Sequence, residues 1–208
     1  MQFGERRDRP LTWVLWRFLR KARFFWPSTR FDTISMIDEL ARSAAALASK
    51  GIGALIAVER RDPLTDYVNT GVIVDALLSR KLLEAIFSPA SPIKGGGVII
   101  SRGRIAAADC LLPRSMADCG WQNGDVEMKQ SAIANPKSEI EKERKKAALG
   151  LTEETDAFAI VVSEDGSIAL TMGRKLESNL DPLELRRQLL VAFSATKAFS
   201  HQRSAISR

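Results

Sequence analysis

The sequence holds only two cysteines, Cys110 and Cys119, one histidine, His201, and one tyrosine, Tyr67. So few thiols and imidazoles leave no disulfide framework, no zinc-finger spacing, no multi-histidine metal site and no internal histidine for a Ser-His-Asp triad. A reducing cytosol is the natural setting. Long apolar runs are also scarce. Near the N-terminus the longest charge-free apolar stretch, Trp13 to Trp16, falls far short of the roughly 20 residues that cross a bilayer. No small-residue cleavage site marks a signal peptide, and there is no internal repeat or low-complexity segment. What is present is ordinary for a globular protein: 208 residues, 45% hydrophobic and 27% charged. That length suits one medium domain with a short extension.

The net charge of +6 is concentrated in one place. Residues 1–30 carry Arg6, Arg7, Arg9, Arg17, Arg20, Lys21, Arg23 and Arg30 against Glu5 and Asp8, and the rest of the chain is balanced. The basic character therefore says nothing about the main domain, and nucleic-acid binding is not expected. The same arm holds Trp13, Trp16 and Trp26, and Leu11 to Trp26 is predicted to be a helix opened by Pro10 and stopped by Pro27. Aromatic and basic residues interleaved over 10–27 fit a helix packed on its own domain, docked on a protein partner, or lying peripherally on an anionic membrane surface.

Beyond the arm the hydrophobic period alternates between helix and strand. Ile34, Ile37, Leu40, Ala41, Ala44, Leu47 and Ala48 form one stripe of a helix over Phe31 to Lys50, with Gly51 placed to end it. Gly53 to Glu59 is a short buried strand, and Arg60 to Thr65 a turn-rich connection. Val72 to Leu78 leads into a helix over Ser79 to Phe87, capped by Ser79. A Pro/Gly-rich loop, Ser88 to Gly97, feeds a strand over Val98 to Ser101. Arg102-Gly103-Arg104 is a tight hairpin turn before a return strand, Ile105 to Leu111.

Residues 114–135 show no period and form an extended loop. Asn135-Pro136 opens a charged helix to Leu149, with Gly150 as its stop. Ala157 to Ser163 and Ser167 to Thr171 make a hairpin around Glu164-Asp165-Gly166. Asp181-Pro182-Leu183-Glu184 is a capping box for a last helix to about Ala195. The expectation is an α/β (α+β) domain over 31–198, a mixed β-sheet flanked by helices, with an arm at 1–30 and a tail at 199–208.

Gly51-Ile-Gly53 lacks the third glycine of a dinucleotide fingerprint and precedes a strand rather than following one. No P-loop is present. Lys94-Gly95-Gly96-Gly97 is more informative. Three glycines before a buried strand cost backbone entropy unless something approaches the main chain closely, and bare amides beside a lysine suit a phosphate or a flat base. A flexible turn explains them as well. Arg144-Lys145-Lys146 is placed near a helix C-terminus, where cations are favoured, with Glu139, Glu141 and Glu143 available to pair with them.

From Ile52 to about Leu185 the order of these blocks resembles the diadenylate cyclase domain family, which joins two ATP molecules into cyclic di-AMP. Gly53-Ala-Leu-Ile-Ala-Val-Glu-Arg60 is similar to the family's first core strand, and Tyr67-Val-Asn-Thr70-Gly71 to its Tyr-x-x-Thr-Gly turn. Asp75 to Phe87 is similar to its Asp-Ala-x-x-Ser region, and Ser91 to Ile100 to the segment carrying Asp-Gly-Ala. Arg104 to Ala108 and Leu111-Leu112-Pro113 follow in register. Arg144 to Gly150 resembles the Arg-His-Arg motif with its Ala-Ala-Ile-Gly tail, and Thr155-Asp156-Ala157 with Ile160 to Glu164 completes the series.

The resemblance implies a nucleotide pocket lined by Thr70, Gly71, Lys94, Gly95, Gly96, Gly97, Leu112 (against the base), Arg144, Lys145, Lys146, Ser163 and Glu164. It implies Mg or Mn with ATP if the domain is active, and a face-to-face homodimer in which each domain brings one ATP. The chain also departs from the family. The aspartate that binds the catalytic metal is Gly95 here, and Lys145 and Lys146 replace the histidine and second arginine. Loss of a metal-binding carboxylate costs on the order of a thousandfold in rate, or about 4 kcal/mol. Glycine cannot ligate through a side chain; Glu164 or Asp75 would have to substitute from elsewhere. No catalytic residue is assigned on this reading. The expectation is a catalytically degenerate domain that binds an adenine nucleotide or cyclic dinucleotide and acts as a sensor. The alternatives are an active cyclase with an altered metal site and an interaction module without ligand.

Overall fold

The computed structural model describes residues 33–115 and 136–206. The arm at 1–30, its expected helix and most of the 114–135 loop lie outside them. In chain order the elements are α1 (Thr33–Ser49), β1 (Ala54–Val58), α2 (Thr65–Val68), β2 (Val72–Leu77), α3 (Arg80–Phe87), β3 (Gly97–Ser101), β4 (Arg104–Cys110), α4 (Pro136–Glu154), β5 (Phe158–Val162), β6 (Ile168–Met172), β7 (Lys175–Glu177) and α5 (Pro182–Ile206). The strands form one mixed sheet in the order β2-β4-β3-β1-β5-β6-β7. β1 and β3 are parallel, and the other pairs are antiparallel. This is the mixed α+β architecture that the sequence pattern indicates.

Burial explains which strands are central. Every residue of β1 and β5 is buried, as unbroken apolar runs require when both sheet faces are covered. On one face Leu55, Ala57, Ile99, Ala107, Ala159, Val161 and Ala169 cluster with Ala148 and Leu151 of α4. The alternate positions Ile56, Ile100 and Ile160 are equally buried and point away from that cluster. α1 packs against β5 and β6, and also against α3 and α5.

Local signals fixed most boundaries. Arg102 and Gly103 have φ of 52° and 75°, the left-handed pair that a two-residue hairpin between Ser101 and Arg104 demands. The Ser79 side chain accepts from the Leu82 N–H at 3.4 Å and opens α3. Gly166, at φ 91°, closes the β5–β6 turn.

Several expectations need correction. Val72 to Leu77 is a strand, β2, at the edge of the sheet, with Val72, Ile73 and Leu77 half exposed. A bulge between Ile73 and Ala76 breaks its register, which hides the two-residue period. The short α2 and β7 have too few residues to carry a period at all. Gly150 does not stop α4, which runs on to Glu154. A Cβ at Gly150 would lie 2.4 Å from the Pro113 carbonyl oxygen and 2.6 Å from the Ser115 nitrogen. The glycine is there to let residues 113–115 cross the helix, and the Ser115 N–H donates to the Lys146 carbonyl at 3.1 Å. α5 extends past Ala195 to Ile206, through most of the expected tail. Asp181 does cap α5, accepting from the Leu183 N–H at 3.2 Å. Glu184, however, turns to the Arg187 guanidinium rather than back to the cap.

Candidate functional site

Strand direction brings most of the sequence-predicted residues to one edge of the sheet. Val72 pairs with Ala108, Gly97 with Cys110, Ile56 with Val98 and Ala54 with Val162. Thr70-Gly71 before β2, Asp109 to Leu112 at the end of β4, Lys94 to Gly97 before β3, Gly53 before β1, and Ser163-Glu164 after β5 therefore stand in a row. Lateral order follows strand order, so segments far apart in the chain become neighbours.

The row is held by its own contacts. The Thr70 hydroxyl donates to the Tyr67 carbonyl at 2.6 Å and its oxygen accepts from the Leu111 N–H at 2.9 Å. It thereby staples the turn to the end of β4 and positions the loop. At Gly96 a Cβ would fall 2.5 Å from the Cys110 carbonyl oxygen, and at Gly97 2.7 Å from Leu112 Cδ1. The glycine segment thus admits the main chain of β4 and the Leu112 side chain, an intramolecular reason for part of its composition. The Lys94 ammonium donates to the Pro89 carbonyl within its own loop. Ser163 is buried and its carbonyl accepts from Gly166.

The cations of α4 separate. Because the helix continues to Glu154, Arg144, Lys145 and Lys146 sit in its interior, and the C-terminal dipole does not explain them. Arg144 reaches the row: its Nη1 lies 2.0 Å from where a Cβ on Gly53 would be. Burial lowers its pKa, while the charges of Glu164 and Glu141 work to raise it. Lys145 pairs with Glu141, and Lys146 lies 4.0 Å from Glu143. The self-pairing expected of α4 is present; Arg144 lies against Gly53, and the charge of Lys145 also acts on Asp165 just beyond Glu164.

One residue that sequence reasoning missed stands in the row. Asp109 has a φ of 57°, a left-handed conformation that aspartate tolerates better than most residues but that costs of order 1–3 kcal/mol. Its Oδ1 accepts from the Gly96 N–H at 2.7 Å and lies 3.0 Å from the Cβ position of Gly95. The signal for it was an acid ending the otherwise apolar run Ile105 to Ala108. Its charge, together with burial as the larger cause, pushes the Cys110 thiol up to about 11. The other two acids considered stand elsewhere. Asp75 sits at the β2 bulge and pairs with Arg104 at 2.8 Å, while Glu164 lies beyond Gly53, close enough to Arg144 to act on its charge.

Among the described residues no group of three or more histidine, cysteine, aspartate or glutamate side chains converges as a self-sufficient cation site. Asp109 is a hard oxygen donor whose Oδ1 accepts from the Gly96 amide. One carboxylate fits a divalent cation that takes its remaining ligands from water and nucleotide phosphates, the usual manner for Mg²⁺. Among the described residues no helix is long and apolar enough to cross a membrane.

Residues 41–176 match the DAC family, described as the DisA bacterial checkpoint controller nucleotide-binding domain. The chain is 36% identical over 156 residues to a diadenylate cyclase of Listeria monocytogenes, covering 74% of this chain and 51% of the relative. It is 32% identical over 161 residues to the cyclic di-AMP synthase CdaA of Bacillus subtilis, covering 76% and 52% respectively. The chain thus spans about half the length of these curated relatives. Among solved structures, a double cysteine mutant of DacA from Staphylococcus aureus aligns with a TM-score of 0.60 at 31% identity, over 74% of this chain and 93% of that one. With the family match running from the middle of α1 to β7 and taking in every segment of the row, the chain belongs to the diadenylate cyclase (DAC) nucleotide-binding domain family.

Proposed function

We propose that this edge of the sheet binds ATP, with the triphosphate against Gly95–Gly97 and Arg144, and that the domain joins two ATP molecules into cyclic di-AMP. The observation that supports turnover is the Asp109 carboxylate beside Gly95. The glycine at position 95 is the reason to expect a silent site, and an acid next to it weakens that reason.

In each half of the reaction a ribose 3′-oxygen of one ATP bonds to the α-phosphorus of the other. The bond from that phosphorus to the pyrophosphate oxygen breaks, its electron pair leaves on pyrophosphate, and the hydroxyl proton passes to solvent. A bound Mg²⁺ or Mn²⁺ would supply charge neutralisation on the phosphates. Arg144 contributes a partly buried cation to the same phosphates, and Leu112, packed over Gly97, offers an apolar surface for the base. Each domain brings one ATP, so the reading includes a homodimer with the two rows facing. It also keeps the domain in the cytoplasm, with residues 10–27 as an element for a protein partner or an anionic membrane surface.

A second reading, a nucleotide sensor without turnover, draws on a specific observation: Lys145 is engaged by Glu141, which leaves less positive charge for the transition state. Incubation of the full chain with ATP and Mg²⁺ or Mn²⁺, followed by chromatography for cyclic di-AMP, tests the proposal. Product well above an Arg144→Ala control supports the cyclase. Calorimetric binding of ATP or cyclic di-AMP without product assigns the sensor instead, and no binding of either leaves an interaction module.

A further inference from the structure

We propose that Asp109 has taken over the work of the side chain absent at position 95, so that the metal-holding carboxylate of this site comes from the end of β4 rather than from the segment before β3. The inference rests on the ATP-binding reading above. Three observations carry it. Asp109 Oδ1 lies 3.0 Å from where a Cβ on Gly95 would be, so the carboxylate borders the volume that a side chain at 95 would enter. The Gly96 N–H donates to the same oxygen at 2.7 Å, which orients the group against the glycine segment. Asp109 also holds a left-handed φ of 57°, where a glycine would sit without strain. An acid kept at such a position directly beside a glycine reads as a paired exchange between neighbouring strands.

The exchange has a chemical consequence. An aspartate restored at 95 would press its Cβ against Asp109 Oδ1 and set two carboxylates side by side. Like charges at that range disfavour the ionised pair and spoil the geometry of both. The acids already present elsewhere do not relieve this, since Asp75 pairs with Arg104 and Glu164 acts on Arg144. Position 95 is therefore a glycine because position 109 is an aspartate.

The test uses the full chain, α,β-methylene ATP and Mn²⁺, with bound Mn²⁺ read from loss of the free-ion electron paramagnetic resonance signal and nucleotide affinity read separately by calorimetry in metal-free buffer. Asp109→Asn keeps the acceptor for Gly96 and removes the charge. It is expected to weaken Mn²⁺ binding in the presence of the analogue by at least about tenfold, while metal-free nucleotide affinity does not fall. Gly95→Asp alone is expected not to tighten Mn²⁺ binding. Gly95→Asp combined with Asp109→Gly is expected to restore it to within about threefold of the parent chain, since the ligand is returned and the left-handed position relieved. Wild-type Mn²⁺ affinity in Asp109→Asn, or tighter Mn²⁺ binding in Gly95→Asp alone, overturns the exchange while leaving nucleotide binding intact. Failure of the parent chain to bind the analogue overturns the ATP reading and, with it, this one.

Discussion

The guanidinium of Arg144 occupies the space that a side chain on Gly53 would fill, Nη1 standing 2.0 Å from the missing Cβ. The first residue before the central strand and an interior residue of α4 are thus fitted to each other. Gly53→Ala would displace the far end of a flexible side chain rather than any backbone. Nucleotide affinity should fall by about tenfold, roughly 1.4 kcal/mol, with the melting temperature moving by only about 2 °C. Calorimetry with ATP beside a thermal melt checks both; an equal loss of fold and affinity would count against the fit.

Gly150→Ala should behave in the opposite way. Alanine favours a helix interior by about 1 kcal/mol over glycine, yet here its Cβ would meet Pro113 O, Ser115 N and Arg114 C, all backbone, at 2.4 to 2.7 Å. Overpacking of that kind costs about 1–3 kcal/mol, so the variant should be less stable in urea despite its better propensity. A stabilised variant would mean that residues 113–115 move aside freely.

Tyr67 offers a pH readout because it is the single tyrosine. Burial first, then its 2.6 Å hydrogen bond to Glu154, raises the phenol from 10.0 to about 12. The folded state holds this proton more tightly than the unfolded state. Its contribution to stability is therefore complete below pH 10 and is lost as the pH rises towards 12. Ultraviolet titration of tyrosinate should give a midpoint near the raised value, and Glu154→Gln should bring it down by removing the carboxylate charge.

Asp156 clips the loop after β1 to the start of β5. Its Oδ1 accepts from the Arg61 and Asp62 amides at 3.1 Å each, and the Asp62 carboxylate accepts from the Asp156 N–H at 3.0 Å. Asp156→Ala should cost about 1–3 kcal/mol in denaturant unfolding. Asp156→Asn keeps one acceptor oxygen and should lose less. Equal losses would place the effect in the charge beside Arg60 rather than in the two amides.

How much could be read beforehand depended on whether a residue's reason was local. The β3–β4 and β5–β6 hairpins were legible because Arg102-Gly103 and Asp165-Gly166 state their turns within a few residues. β2 was not, since its bulge at Asp75 breaks the alternation. Gly150 reads as a stop by every local rule, and only the crossing segment at 113–115 reveals its purpose. The glycines at 95–97 stand out in sequence, but that the main chain of β4 and the Leu112 side chain enter them is visible only in the fold. Asp109 looks like an unremarkable polar residue at a strand end until β3 and β4 are paired. Arg144-Lys145-Lys146 stands out in sequence as a cationic run and the resemblance attaches it to a nucleotide, while the packing of Arg144 against Gly53 and the pairing of both lysines with glutamates needed the helix in place.

The pairing of β1 carries a consequence for how the chain acquires its shape. Ala54 meets Val162 and Ile56 meets Val98, so neither flank of the middle strand is supplied by a neighbour in sequence. Closing such distant loops is entropically slow, and until β5 has emerged from the ribosome one side of β1 offers bare amides and carbonyls to any passing strand. Biosynthesis of this domain should accordingly depend on chaperone protection in a way that its finished stability does not disclose.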